Sequence, residues 1–378
     1  MDDLDLYVQL NGVELLEQIE EDAEIVLQKS NYIDPFESLS DRQFIALYRL
    51  SKDLATRVIH MVTPYMKAPS RSSALTIKQK VMTALRFFAS GSYQMDIGVS
   101  QYASVSQPTV SRIVEEVTTA LCCPEIFEEI VHFPRNFVEL NAVRKGFYDN
   151  FKIRGIVGVI DCTHIAIVPP KTEDLTYPEH IYVNRKGYHS INTQLICDVN
   201  LRILNVSARY PGSSHDSHIW NTSKVKMLMM DLHAQGHKSY ILLGDSGYAL
   251  RPWLLTPFLD PRPDSPEANY NDSVCKARST IGRCNGVLKM RFRCLLKHRT
   301  LHYAPNKASK IINSCVVLHN LCIMDNIPLY NEDFDNQEVD YGICQQNNVE
   351  NTNIDDKGNP DLIAGQQARQ QIVDRYFT

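Results

Sequence analysis

The chain has 378 residues, 44% of them apolar and 22% charged, with a formal net charge of −5. Its composition is globular, and its length predicts two domains or one large domain with appendages. No apolar run reaches the roughly 18 residues that span a bilayer. The opening MDDLDLYVQL is acidic where a secretory signal would be basic, so an intracellular soluble chain is expected.

Residues 1–37 read as an acidic helical arm, with nine acids and no Lys or Arg in the first 28 positions. This suits a partner-binding or shielding segment. Residues 38–135 read as a helical region. Phe44, Leu47, Leu50, Leu54, Val58 and Met61 recur at helical spacing over 38–66, with Ser40 as N-cap. Residues 76–122 have the layout of a helix-turn-helix. TIKQKVMTALRFFASG is a helix ended by Gly91, MDIGVSQYA a short second helix, and SVSQPTVSRIVEEVTTAL a third with Ser106 as cap and Pro108 in its first turn. Val110, Ile113, Val114 and Val117 form its apolar stripe. Ser106, Gln107, Thr109 and Arg112 lie at its N-terminal end, the end with which a recognition helix meets DNA. The same pattern also fits a three-helix packing unit with a polar surface.

Strand patterns fill much of residues 150–325. RGIVGVID is a continuous β-branched run of the kind found in buried central strands. HIAIVP, SINTQLICDVN and RILNVSARYPG follow as strands, DSHIWNTSKVKMLMMDL as helix, and SYILLGDSGY as a further buried strand ending in a tight turn. PDSPEANYND reads as a loop, and 275–292 and 306–325 as helices, the second burying Ile311, Ile312, Cys315, Leu318 and Cys322. Residues 326–378 read as a polar linker followed by a C-terminal helix. Three strands, a helix, then a fourth strand is the order of an RNase H-like α/β domain. The expected fold is therefore a mixed sheet flanked by helices and preceded by an all-α helix-turn-helix region.

Charge and cysteine distribution add to this. Residues 273–310 carry ten Lys or Arg and no acid, interleaved with apolar residues (KMRFRCLLKHR). Such a stretch belongs to a folded element and favours an anionic partner over a merely solvated face. The ten cysteines include no C-x-x-C pair and read as free thiols in a reducing compartment. Cys284, Cys294, His298 and His302 contain a His pair at i, i+4, but the ten-residue gap between the cysteines argues against zinc.

Two aspartates stand out. Asp161 follows GIVGVI and Asp245 follows YILLG. A carboxylate next to a buried strand is poorly solvated unless it is paired or metal-bound. Phosphodiester cleavage uses divalent metals held by carboxylates from separate elements. One such aspartate reads as a turn cap; two, each closing a core strand, favour metal ligation.

Together, IDCTHIAI, NRKGYHSINTQLICD, YPGSSHDSHIW, LLGDSGYALRPWLLTPF, ARSTIGRCNGVLKMRFRCL and KASKIINSCVVLHNLC resemble, in order, the DDE endonuclease domain of PIF/Harbinger transposases and the nucleases derived from them. The resemblance spans residues 150–325. It implies an RNase H-like sheet and Mg²⁺- or Mn²⁺-dependent DNA cleavage, with Asp161 and Asp245 as the first two metal ligands. It also implies a third, glutamate ligand in the helix beginning near Ala277, at the position held here by Gly282. On a helix Arg278, Gly282, Asn285 and Lys289 share one face, while Ile281, Cys284 and Leu288 lie opposite. The polar face thus lacks its carboxylate, and Asp272, upstream in the predicted loop, is the nearest alternative acid.

The HDS motif of the family makes His215 and Asp216 candidates for a place near the site, with His218 beside them; Asp216 as a helix cap is the competing reading. Asn184, Arg185, Lys186 and Tyr188 form a phosphate-facing edge or simply a basic hairpin. Arg112, Lys186, Arg278, Arg283, Lys289, Arg291 and Arg293 are candidate DNA contacts. The resemblance further implies duplex DNA and a Myb-like DNA-binding protein as partners, with a nuclear as well as a cytoplasmic location. The acidic arm is the candidate docking surface for that protein. Two functions follow, a metal-dependent DNA endonuclease or an inactive DNA-binding scaffold that keeps the nuclease fold.

Overall fold

The computed structural model describes residues 32–69, 71, 74–171, 173, 175–329 and 359–377. The acidic segment 1–28 and nearly all of the predicted linker lie outside the described residues. The chain divides into two compact units, Met1–Cys123 and Pro124–Thr378.

In the first unit a single turn, Pro35–Ser38, precedes α1 (Asp41–Tyr48) and α2 (Lys52–Val62). Ser40 caps α1 as expected, in a reciprocal box with Gln43. The periodicity over 38–66 is broken at Arg49, which is left-handed at φ 65°, and Ser51 restarts a helix by accepting the Leu54 N–H at 3.1 Å. The break leaves Leu50 buried between the two helices. Next come α3 (Ile77–Ser90), ended by Gly91 at φ 61°, α4 (Gln94–Gly98) and α5 (Gln107–Leu121). Val110, Ile113, Val114 and Val117 are buried, and Lys80 pairs with Glu116 at 2.8 Å to tie α3 to α5. Ser106 occupies the N-cap position of α5, but its hydroxyl bonds the Thr109 hydroxyl instead of a backbone N–H.

The second unit opens with α6 (Pro124–Ile130) and α7 (Phe137–Phe151), which lead into a five-stranded mixed sheet. Its strands are β1 (Ile156–Ala166), β2 (Ser190–Cys197), β3 (Ile203–Pro211), β4 (Ile241–Leu243) and β5 (Leu254–Leu255), in the spatial order β3-β2-β1-β4-β5. The first three pair antiparallel; β4 runs parallel to β1, and β5 parallel to β4. Helices α8 (Asp216–Asn221) and α9 (Lys224–Ala234) fill the crossover from β3 to β4. This is the expected RNase H-like arrangement.

Two expectations change. The runs GIVGVID and HIAIVP form one strand, not two, because β2 pairs with β1 without interruption from Val159 to Ala166. Asp161 therefore lies within β1, opposite Leu195. The stretch PDSPEANYND is not a loop. Ser265 accepts the Ala268 N–H at 3.2 Å and Pro266 takes the first helical position, so α10 spans Pro266–Arg291, 26 residues.

Helix α10 packs on β1 and β2, and α11 (Pro305–Met324) on β3. Asn320, fully buried on α11, accepts from Ile203 N and donates to Ile203 O and Ile130 O, all at 2.8–3.0 Å. One side chain thereby satisfies three buried backbone groups and pins β3 to α6 and α11. The C-terminal helix α12 (Pro360–Tyr376) docks on the strand-β5 region, where Arg369 donates to Thr256 O and Pro257 O.

Candidate active site

The parallel register builds the site. Val159 of β1 pairs with Leu243, the last residue of β4, and pairing between the two strands stops there. Asp161 and Asp245 each lie two residues further on, at the point where the strands part. Gly244 still donates to Leu255 O at 3.0 Å, and the chain then turns through Ser246 and Gly247, whose N–H bonds Asp245 Oδ1 at 3.0 Å. Asp161 Oδ1 accepts from the Cys162 N–H at 2.8 Å. These bonds orient both carboxylates without neutralising them.

The electrostatics show how unbalanced the pair is. Burial first, and then the charge of Asp245, push the Asp161 carboxyl up to about 7. Burial also raises Asp245. Both feel the same two neighbours, since the Arg278 guanidinium lowers each and Asp216 raises each.

Asp216 stands in the first turn of α8, where Asn192 Nδ2 donates to it at 2.9 Å. It is not the N-cap; that position belongs to His215, whose side chain makes no capping bond. The structure thus brings Asp216 into the electrostatic environment of Asp161 and Asp245, while His215 and His218 are exposed. A polar layer lies beneath Asp216. Gln194 Nε2 lies 3.4 Å from the Tyr248 hydroxyl, itself 3.4 Å from Cys162 Sγ. Asn192, Gln194 and Tyr248 escaped the sequence reading. For Asn192 and Gln194 the signal is the polar residues inside the buried strand SINTQLIC, all of them fully covered; Tyr248 lies outside that strand, in the turn after β4.

Helix α10 supplies the opposite wall. Arg278, Gly282 and Asn285 are buried, and Lys289 Nζ donates to Thr163 Oγ1 at 2.6 Å. The face that sequence spacing identified does meet β1, and at Gly282 it carries no carboxylate. Asn285 Oδ1 is buried without a hydrogen-bond partner. Asp272 cannot substitute: it is exposed and ten residues up the same helix, about 15 Å along the axis at 1.5 Å per residue.

The candidate DNA contacts separate. Lys186 is exposed on a hairpin beside β2, Arg283 is exposed on α10, Arg293 is half-buried after α10, and Arg112 is exposed on α5 in the first unit. Arg278 is an interior counter-charge to the aspartates. Arg291 is 3% exposed and donates to Ile327 O at 3.0 Å, so it secures the end of α11 instead of facing DNA. Lys289 is committed to β1. The zinc grouping is not assembled. Cys284 is tied to Cys197 and His319, and Cys294 Sγ lies 3.8 Å from Cys315 Sγ. The nine described cysteines are all free thiols.

Among the described residues, no three His, Cys, Asp or Glu side chains converge closely enough to hold a metal ion. The charge of Asp161 and Asp245, only partly offset by Arg278, and their hard oxygen donors fit one divalent cation held at two points. They do not fit the two-ion arrangement, for which the Arg278–Lys289 face of α10 offers no acid.

The fold is that of an RNase H-like domain, with two aspartates where β1 and β4 part. Residues 160–320 match the model of the DDE superfamily endonuclease family. The chain is 34% identical over 289 residues to "Putative nuclease HARBI1" of Bos taurus, covering 76% of this chain and 79% of that protein. It is 31% identical over 298 residues to the Xenopus laevis protein of the same name, covering 78% and 82%. Similarity to "Protein ALP1-like" of Arabidopsis thaliana is 24% over 304 residues, 76% of this chain and 72% of that one. No solved structure matches significantly. The chain belongs to the Harbinger transposase-derived nuclease family.

Proposed function

We propose that this chain binds duplex DNA, holds one divalent cation weakly through Asp161 and Asp245, and cleaves DNA poorly or not at all. The observation that carries this reading is Gly282. It is buried on the α10 face that packs against β1, between Arg278 and Asn285, where the family pattern has a glutamate. Bound there, Mg²⁺ or Mn²⁺ would supply positive charge to a phosphate oxygen. Asp161 and Asp245 would hold the ion, and the Asn192-anchored Asp216 would add negative charge behind them. The N-terminal end of α5, with Gln107 and Arg112, is the proposed second DNA contact. A Myb-like protein and a nuclear location remain part of the proposal through family likeness.

The test is nicking of supercoiled plasmid in Mg²⁺ or Mn²⁺ by this chain and by Gly282→Glu. At least tenfold faster nicking by the variant is expected; equal rates overturn the reading. A second reading rests on Asp216, whose charge reaches both aspartates. If the unaltered chain nicks DNA and Asp216→Asn abolishes this, Asp216 is the working third acid.

A further inference from the structure

Beside β2 the segment Asn184–His189 makes a tight hairpin, closed by the Val183–His189 bridge and by Asn184 N donating to Tyr188 O at 3.0 Å. Asn184 builds it from within. Only 4% exposed, it accepts the Lys186 N–H at 2.8 Å through Oδ1 and donates through Nδ2 to Ser190 Oγ at 2.8 Å. Gly187 takes φ +77° at the tip, a conformation that favours glycine. The buried asparagine thus holds the exposed Arg185 and Lys186 outward on a fixed turn.

A second segment, distant in sequence, lies alongside. After α10 the chain makes two short helical turns, Arg293–Leu295 and Lys297–Arg299. It is then stitched to the end of β1 by Leu301 N to Ala166 O and Val168 N to Leu301 O, both at 3.0 Å. This places the exposed Lys297 with its Nζ 4.7 Å from the centre of the Tyr188 ring. The nearby Glu179 is engaged by His189. The result is a basic ledge on two rigid supports. It borders the strand that carries Asp161: the ring of His164, three residues further along β1, lies 6.5 Å from the Tyr188 ring, and His164 Nδ1 is 3.0 Å from Ser190 Oγ.

We propose that Arg185 on the hairpin and Lys297 on the helical turn form a phosphate-backbone clamp for duplex DNA, seating the phosphates that flank the one facing Asp161 and Asp245. This deepens, and rests on, the DNA-binding reading above. The contact is sequence-independent, since it is made to phosphates by guanidinium and ammonium groups. Fixed supports make it a pre-ordered clamp, so little side-chain and loop ordering is lost on binding.

The test is the salt dependence of binding of the full chain to a fluorescein-labelled mixed-sequence duplex without divalent metal, followed by anisotropy. Each phosphate contact contributes about 0.9 to the slope of log K against log salt. Arg185→Ala/Lys297→Ala is expected to reduce that slope by about 1.8, whereas Lys145→Ala/Lys238→Ala, with the same charge loss elsewhere, leaves it unchanged. Salt-dependent binding by the unaltered chain with the same slope in both double variants overturns the clamp and leaves the DNA-binding reading standing. Failure of the unaltered chain to bind overturns both.

Discussion

Asp161 and Asp245 are register partners: each lies two residues past the Val159–Leu243 pair, the last link between β1 and β4. Parallel pairing delivers the two carboxylates to one place, and the parting of the strands opens the space in front of them. This is the crevice at the carboxyl ends of parallel strands that ligands commonly occupy.

The pair makes stability depend on pH. Asp161 has its folded pKa raised to about 7 from 3.8. A carboxyl raised by folding stabilises the folded state at low pH, where it is protonated, and that contribution is lost as pH rises from about 4 through 7. Asp161→Asn is therefore expected to be more stable than the unaltered metal-free chain at pH 8, by about 1–3 kcal/mol, given about 1.4 kcal/mol per tenfold change in proton affinity. The advantage shrinks toward pH 4. Denaturant melts in the presence of a chelator at pH 5 and pH 8 measure it; a variant less stable at pH 8 contradicts it.

Arg278 is the compensating charge for that pair. Arg278→Gln leaves both aspartates facing each other with Asp216 behind them, and a loss on the order of 3 kcal/mol is expected at pH 8. Because the loss comes through the carboxylates, Arg278→Gln in an Asp161→Asn background costs clearly less. A double-mutant cycle by chemical denaturation reads the coupling. Additive single effects would show that Arg278 acts only through packing.

Asn320 tests how the sheet is held to its helices. Asn320→Ala strands the N–H and C=O of Ile203 in a fully buried setting and leaves the carbonyl of Ile130 only the 3.5 Å bond from Arg202. Each unsatisfied buried group costs about 1–3 kcal/mol, so a total near 3–5 kcal/mol is expected, with faster hydrogen exchange along β3. A loss below about 1 kcal/mol would mean that water replaces the amide.

The aspartates were legible because each adjoins an apolar β-branched run, a pattern local to the chain. That Asp161 lies within a strand was not, because only the partner β2 decides that pairing continues through Cys162 and Thr163. The start of α10 carried a sequence signal, Ser265-Pro266-Glu267, which the Pro- and Asp-rich composition around it concealed. The basic stretch misled most. Arg278, Lys289 and Arg291 read as DNA-facing, yet Arg278 compensates aspartates, Lys289 bonds β1 and Arg291 bonds Ile327. Which face of a helix is buried over such an acid-free stretch depends on carboxylates and carbonyls far away in sequence. Gly282 was legible only through family likeness, and its burial on the face where Lys289 bonds β1 gives the missing carboxylate its structural meaning.

The C-terminal helix gives a test free of the active site. At Gly365 of α12 an added Cβ would lie 2.9 Å from the Cα of Arg251, closer than side chains approach backbone. Backbone cannot yield as a flexible side chain does, so Gly365→Ala must lift α12 from the segment before β5. The lift strains the Arg369 bonds to Thr256 O and Pro257 O, where the guanidinium also sits 3.8 Å from the centre of the Phe258 ring. A loss of about 1–3 kcal/mol is expected, as for other overpacked contacts, together with faster proteolysis within Pro360–Tyr376. Arg369→Ala should release the same helix, and combining the two should cost less than the sum of their separate effects, because either one already undocks α12. Unchanged proteolysis of α12 in Gly365→Ala would show that the helix shifts along the surface and stays docked.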